Sequence, residues 1–286
     1  SVVGTGPKNR ITIEDVQKHV KSIVQGSAAA GAGAGLGGGA GLGLLADPVI
    51  DFSQFGEIKE EKLSRINKIS AANLHRNWVK IPHITLFDDA DITDMDSFRK
   101  ENKQKALDKG VKLTPLAFIV KAVAKSLSEF GRINSSLSSD GESLVIKKYI
   151  NVGVAVDTPV GLMVPVIKDA DKKGVYEIAN NIIDFAKRAR DGKLTGKDMQ
   201  GGTFTISSLG GLGTTAFTPI VNMPEVAILG VSKSLHKPVY KNGNFEPRLM
   251  LPLSLSLDHR VVDGALGAKF LASVLENLSD LKRIIL

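Results

Sequence analysis

From Gly26 to Pro48 the chain reads GSAAAGAGAGLGGGAGLGLLADP. Glycine and alanine on this scale leave almost nothing to bury, and glycine loses the most backbone freedom on ordering. By composition the block is a flexible linker. It divides everything else. Residues 1–25 precede it and are too few to bury a core of their own. Residues 49–286 follow it and must hold the main fold. The block contains a formal G-x-G-x-x-G at Gly33, Gly35 and Gly38. No strand precedes it, and such matches are easy in a glycine repeat, so no dinucleotide site is read there.

Within residues 1–25, Thr12 and Asp15 make a capping-box-like start to a short helix, with Val16, Val20 and Ile23 on one face. The body then alternates periods. A helix is expected over residues 60–79, leading into a strand, HITLFDDA, that starts at His83. Asp88, Asp89, Asp91, Asp94 and Asp96 lack the glycine and the terminal glutamate of an EF-hand loop; a strand end followed by a helix start explains them. TPLAFIVKAVAKSL carries Leu116, Ile119, Val120, Val123 and Leu127 on one helical face, with Pro115 near its start. INVGVAVDTPVGLMVPVI reads as two strands around a Thr-Pro-Val-Gly turn. GVYEIANNIIDFAKRARDG reads as a helix stopped at Gly192. GTFTISSLGG, EVAILGVSK and RLMLPLSLSLDH read as strands, and one helix is expected from Asp263 to Ile285. Strands and helices mix throughout, which predicts an α/β body with a mixed sheet flanked by helices.

Composition narrows the chemistry. The chain has no cysteine, which removes disulfides, thiolate metal sites and a cysteine nucleophile. Lys and Arg outnumber Asp and Glu by 37 to 30, a net charge of +7. That suits anionic partners, although a solvated surface accounts for so mild an excess. No apolar run approaches the ~20 residues of a membrane span. The opening SVVGTGPKNR lacks the apolar core of a signal peptide. A cytoplasmic protein is expected, with no membrane or nucleic-acid partner. The missing initiator Met suggests part of a longer chain.

One of the chain's five histidines stands where a strand meets a glycine-bearing turn, in SLSLDHRVVDG. An imidazole is the natural general base near neutral pH. His259 is flanked by possible orienting groups in Asp258, Arg260 and Asp263, with Gly264 permitting a tight turn. The second candidate is TFTISSLGGLGTT, where Ser207 and Ser208 end a strand. A serine there can act as nucleophile or donate to an oxyanion. The flanking Ile206 and Leu209 do not make the G-x-S-x-G elbow. Gly211, Gly213 and Ala216 fit G-x-G-x-x-A formally, but Thr218-Pro219 follows where a phosphate-binding helix would have to open. In GKLTGKDM, Asp198 stands where a Walker loop needs Ser or Thr. His75 and His83 lack metal-ligand spacing, and His83 is expected to start its strand. His19 and His236 carry no signal.

Taken together, these segments resemble a known family. SLSLDHRVVDG is similar to the H-x-x-x-D-G signature of dihydrolipoamide acyltransferases and chloramphenicol acetyltransferase. RNWVKIPHIT, INVGVAVDTPVGLMVPVIKDADKKG and KLTGKDMQGGTFTISSLGGLGTTAFTPIVNMPEVAILGVSK resemble the catalytic core of the acetyl-transferring branch, which serves pyruvate dehydrogenase complexes. The likeness runs over residues 51–286. Residues 1–25 resemble the C-terminal half of that family's peripheral subunit-binding domain, 26–48 its linker and 49–286 its acyltransferase domain.

The resemblance implies a chloramphenicol-acetyltransferase-like mixed sheet flanked by helices, as a trimeric building block of a cubic core, 24 subunits in all. It implies an active-site channel between two subunits, with coenzyme A and a lipoyl group as substrates and no metal. It carries the general base to His259, oxyanion donation to Ser207 and a third, orienting place to Asp263, where some relatives have Asn. Ser at position 207 favours acetyl over succinyl transfer. No lipoylation turn occurs in this sequence, so the swinging arm would have to be carried elsewhere. The implied partners are the pyruvate decarboxylase component and dihydrolipoamide dehydrogenase. No Lys or Arg is singled out for coenzyme A; Arg65, Lys68 and Arg76 share the early helix. Two other readings are an architectural core that mainly scaffolds partners, and a succinyl- or branched-chain-acyl relative. A serine hydrolase using Ser207 and His259 is disfavoured by the missing elbow.

Overall fold

The structure is a computed structural model describing residues 6–7, 11–18, 48–159 and 161–285. It divides into two compact units, Ser1–Lys62 and Leu63–Leu286. In the first, residues 13–18 form a short helix. The expected capping box is present: Thr12 N–H donates to Asp15 at 2.8 Å, and Asp15 N–H donates to the Thr12 hydroxyl at 3.3 Å. Val20, Ile23, His19 and nearly all of the Gly/Ala block lie outside the described residues.

The second unit opens with α1, Arg65–Lys80, capped by the Ser64 hydroxyl. This is five residues later than the sequence reading put it. Residues 57–63 hold no Ser, Thr, Asp or Asn to cap an earlier start, and the helix begins where Ser64 caps it. There follow β1 (His83–Asp91), α2 (Thr93–Glu101), α3 (Lys103–Asp108), α4 (Pro115–Glu129), β2 (Ser135–Leu137) and β3 (Leu144–Ile146). Next come β4 (Val152–Val154), β5 (Val166–Ile167), α5 (Val175–Arg190), β6 (Phe204–Ser208) and β7 (Ala227–Val231). The chain closes with β8 (Leu235–Lys241), β9 (Asn244–Asp258), α6 (Gly264–Ser279) and α7 (Lys282–Ile285). The single terminal helix expected from the sequence is therefore two. Asp280 leaves helical geometry and its side chain accepts from Lys282 N–H, starting a new turn.

The main sheet runs β1-β9-β7-β6-β4-β5, with β8 also on β9. β4, β6 and β7 are parallel; the other pairings are antiparallel. This is the expected mixed sheet. The Ser/Leu alternation of β9 gives it two unlike faces, since successive residues point to opposite sides. Leu253, Leu255 and Leu257 align with Val231, Leu229 and Ala227 on β7. All six are buried in the main core with α4 and α6. Each buried Leu contributes roughly 1.5–3 kcal/mol. Helix α6 lies close to the sheet at Gly267, where a Cβ would stand 2.5 Å from Leu257. Phe270 of α6 packs its ring against Phe204 of β6, centroids 5.6 Å apart.

The other face carries hydroxyls. Ser254 and Ser256 align with Gly230 and Ile228 on β7, and these with Ser207 and Thr205 on β6. Thr85 and Ser256 share a 2.8 Å hydrogen bond. Part of this face is covered by the crossover from β6 to β7. Its Phe217 ring lies where a side chain at Gly230 would be, 2.8 Å from the ideal Cβ. A small second cluster, Ile81, Val221 and Ile228 with Met223, packs beside it.

Candidate active site

β9 ends at Asp258, and its carboxylate organises the turn that follows. Asp258 is 2% exposed. It accepts from Arg260 N–H at 3.0 Å, Nε at 2.9 Å and Nη2 at 2.6 Å. This fork holds the Arg260 guanidinium above its ordinary pKa. Val261 and Val262 N–H both donate to the Asp258 carbonyl, and Arg132 Nε donates to the Val261 carbonyl at 2.8 Å. Asp258 and Arg260 thus bond each other and hold the turn, and neither hydrogen-bonds the His259 imidazole.

His259 rides on this turn. Its N–H donates to the Pro82 carbonyl at 3.1 Å, and its side chain is exposed. Among the described residues no side chain hydrogen-bonds the imidazole. Asp263 does not reach it either. Asp263 is the N-cap of α6, accepting from Leu266 N–H at 2.7 Å. Its role within one chain is to start that helix.

Ser207 is the fourth residue of β6 and half-buried. The chain then tightens into a turn over Gly210–Leu212. A Cβ on Gly210 would come within 2.7 Å of the Ser232 carbonyl, so only glycine fits. No phosphate-binding helix opens there.

Strand polarity decides the geometry between the two candidates. β6 is parallel to β7, and β7 is antiparallel to β9. The C-terminal ends of β6 and β9 therefore lie at opposite ends of the sheet. Ser207 is level with Gly230 and Ser254, five residues short of His259. At ~3.3 Å per residue and ~4.8 Å between strands, their Cα atoms are ~19 Å apart. One chain cannot bring this serine and this histidine to one substrate atom.

The other sequence candidates have structural roles. Asp198 accepts from Thr195 N–H and hydroxyl, both at 2.7 Å, and pairs with Arg188. These bonds hold its carboxyl at about 2; it is a cap, not part of a phosphate loop. His83 does begin β1. Asp91 and Asp96 serve ion pairs with Arg248 and Arg99. Among the described residues no group of three or more His, Asp or Glu could hold a metal ion, and no helix is long and apolar enough to cross a membrane.

One group went unread. Glu225, between the crossover and β7, is 5% exposed. It accepts from Thr205 Oγ1 at 2.6 Å and from Asn222 Nδ2 at 3.4 Å. Burial pushes its carboxyl up to about 7, against the pull of these bonds and of Lys147. The available signal was an acid set directly against the apolar run VAILGV.

A sequence model of the 2-oxoacid dehydrogenases acyltransferase family (catalytic domain) matches residues 55–286. The dihydrolipoyllysine-residue acetyltransferase component of the pyruvate dehydrogenase complex from Haemophilus influenzae is 58% identical over all of this chain and 51% of its own length. The chain thus spans about half the length of the curated relatives it matches. A structure of the Azotobacter vinelandii dihydrolipoamide acetyltransferase, solved to investigate a serine, a histidine and an asparagine in its catalytic mechanism, superposes with a TM-score of 0.84 at 50% identity, covering 85% of this chain and 100% of that one. The structure of the cubic core of the pyruvate dehydrogenase multienzyme complex matches equally, with a TM-score of 0.84 and 50% identity over 85% of this chain and 100% of that one. With a family match over most of its length and relatives this similar across all of it, the chain belongs to the 2-oxoacid dehydrogenase acyltransferases, of which it carries the catalytic domain.

Proposed function

We propose that this chain moves an acetyl group between coenzyme A and a dihydrolipoyl group, at a site built from Ser207 of one copy and His259 of another. Strand polarity carries the reading: the two residues best suited to the chemistry lie toward opposite ends of one sheet, His259 exposed and Ser207 half-buried. They and Asp263 also repeat the chain spacing of the serine, histidine and asparagine studied in the Azotobacter enzyme.

His259 takes the proton from the attacking thiol, and the thiolate adds to the thioester carbonyl. Proton transfer from an ordinary thiol to an ordinary imidazole is uphill by about 3 kcal/mol. That is a small part of an enzymatic barrier, and attack follows as the proton leaves. The Ser207 hydroxyl donates to the tetrahedral oxyanion. Collapse expels the second sulfur, which recovers the proton from His259. Asp263, an acceptor only when ionised, cannot donate to that oxyanion; it fixes the start of α6 and with it the turn. No acyl-enzyme is needed.

The reading extends to trimers assembled into a 24-subunit cubic core in the cytoplasm, working with the pyruvate decarboxylase component and dihydrolipoamide dehydrogenase. The cubic core of the matching complex and the cysteine-free composition support it. The test is acetyl transfer from acetyl-CoA to free dihydrolipoamide. His259→Ala should lose several orders of magnitude and Ser207→Ala about 10²–10³. An assembled, unmutated chain with no activity would leave only the scaffold reading.

A further inference from the structure

The β6–β7 crossover is tied to the His259 end of the sheet at one residue. Val221, fully buried, donates its N–H to His83 Nε2 at 3.0 Å. Its carbonyl accepts from Asn77 Nδ2, also at 3.0 Å. Asn77 is the one buried residue of α1. Arg76 donates from Nε and Nη2 to Asn77 Oδ1, which fixes the amide with its nitrogen toward Val221.

This geometry assigns the His83 tautomer. Nε2 accepts a backbone N–H and so carries no proton. Nδ1 lies 2.9 Å from the Ile81 carbonyl and donates to it. Trp78 stacks on the ring at 5.5 Å, 26° from parallel. Pro82, between Ile81 and His83, offers the carbonyl that receives His259 N–H.

We propose that His83 is a positioning residue for His259. Its neutral ring, clamped between the Ile81 carbonyl and the Val221 amide, holds the Pro82 carbonyl on which the His259 turn docks. Protonation of the ring opens the clamp, because the new N–H points at the N–H of Val221. The charged and titratable groups on the elements around the ring are Arg65, Lys68, His75, Arg76 and Lys80 on α1, Asp258, His259 and Arg260 at the end of β9, and Glu225 on the crossover. Asp258 is taken up by Arg260, and Glu225 by Thr205 and Asn222. Among the described residues no carboxylate pairs with the ring, so the proton gains no counter-ion. The inference rests on the acyltransferase reading for its kinetic consequence.

The experiment compares the assembled protein with His83→Phe and His83→Gln. His83→Phe should lower kcat roughly 10²-fold, the cost of misplacing a catalytic group by an ångström. KM for acetyl-CoA and dihydrolipoamide should stay within about twofold. His83→Gln offers an amide oxygen to Val221 at every pH and should recover most of the loss. Trp78 is the chain's one tryptophan, and a protonated imidazole stacked on indole quenches its emission. Acid quenching should therefore appear in the unmutated protein and vanish in His83→Gln. A His83→Phe protein with kcat unchanged, or a His83→Gln protein no more active than His83→Phe, overturns the proposal. If the unmutated protein transfers no acetyl, the acyltransferase reading fails and fluorescence alone decides the clamp. Quenching that persists in His83→Gln then overturns it, and quenching lost there sustains it.

Discussion

The two faces of the sheet are made from the same strands, yet they are finished differently. On the leucine face, Leu253, Leu255 and Leu257 meet β7 partners and helices, and every position closes within one chain. On the serine face, hydroxyls pair locally and a crossover covers part of the surface, while half-buried Ser207 and exposed His259 lie toward opposite ends. The first face specifies the fold. The second presents the two groups that, on the proposed reading, another copy brings together. Folding and chemistry are therefore separable by face, and the comparison can be broken or sharpened by experiment.

The largest effect should come from mixing. Homogeneous assemblies of His259→Ala or Ser207→Ala should each be impaired. Assemblies reconstituted from both together should regain activity, because some interfaces then join an intact Ser207 to an intact His259. Recovery no greater than the average of the two parents would return both residues to a single chain and break the comparison.

Next in size is the leucine face. Leu255→Ala should destabilise by about 2–5 kcal/mol in urea unfolding. Activity per folded molecule should hold. A matching loss of kcat at full folding would show that the two faces are coupled.

The third prediction concerns Glu225 on the hydroxyl side. Its folded pKa, about 7, stands above the ordinary glutamate value of 4.5. Between those values the folded state keeps a proton that the unfolded state has released, so stability falls as pH rises through this window. The full effect is on the order of 3 kcal/mol. Unfolding of the parent and of Glu225→Gln at pH 5 and pH 8 should show the parent losing about that much relative to the variant. Equal pH dependence in the two would remove the buried carboxyl from the account.

The smallest effect should be at the Thr85–Ser256 pair. Replacing both, Thr85→Val with Ser256→Ala, should change stability by about 1 kcal/mol or less, while either single change leaves a hydroxyl unpartnered and costs more. A double variant no better than the singles would show that the serine face is held by more than local pairing.

What could be read in advance followed short-range rules. The α4 pattern around Leu116 and Val123, the Pro115 start and the run from β9 into His259 need only periodicity and local caps. So does the Thr12–Asp15 box. Other features depended on distant partners. The β8 hairpin went unread despite Asn242-Gly243 at its tip, where both residues take positive φ as such a turn demands. The start of α1 at its Ser64 cap and the break at Asp280 had local signals that went unread, whereas the burial of Glu225 follows from what the rest of the fold supplies. Strand polarity is the clearest case. Nothing near Ser207 or His259 says that their strands run in opposite directions, and that fact governs the site.

The turn after β9 is secured by the main-chain N–H of His259, by the Asp258–Arg260 fork and by Arg132 on the Val261 carbonyl. The imidazole takes no part in holding it. Position 259 is therefore a socket whose occupant is free of structural duty. A nucleophile, a metal-binding group or an unnatural side chain could be mounted there without renegotiating the fold, and selection could change the reaction one residue at a time while the scaffold stayed the same.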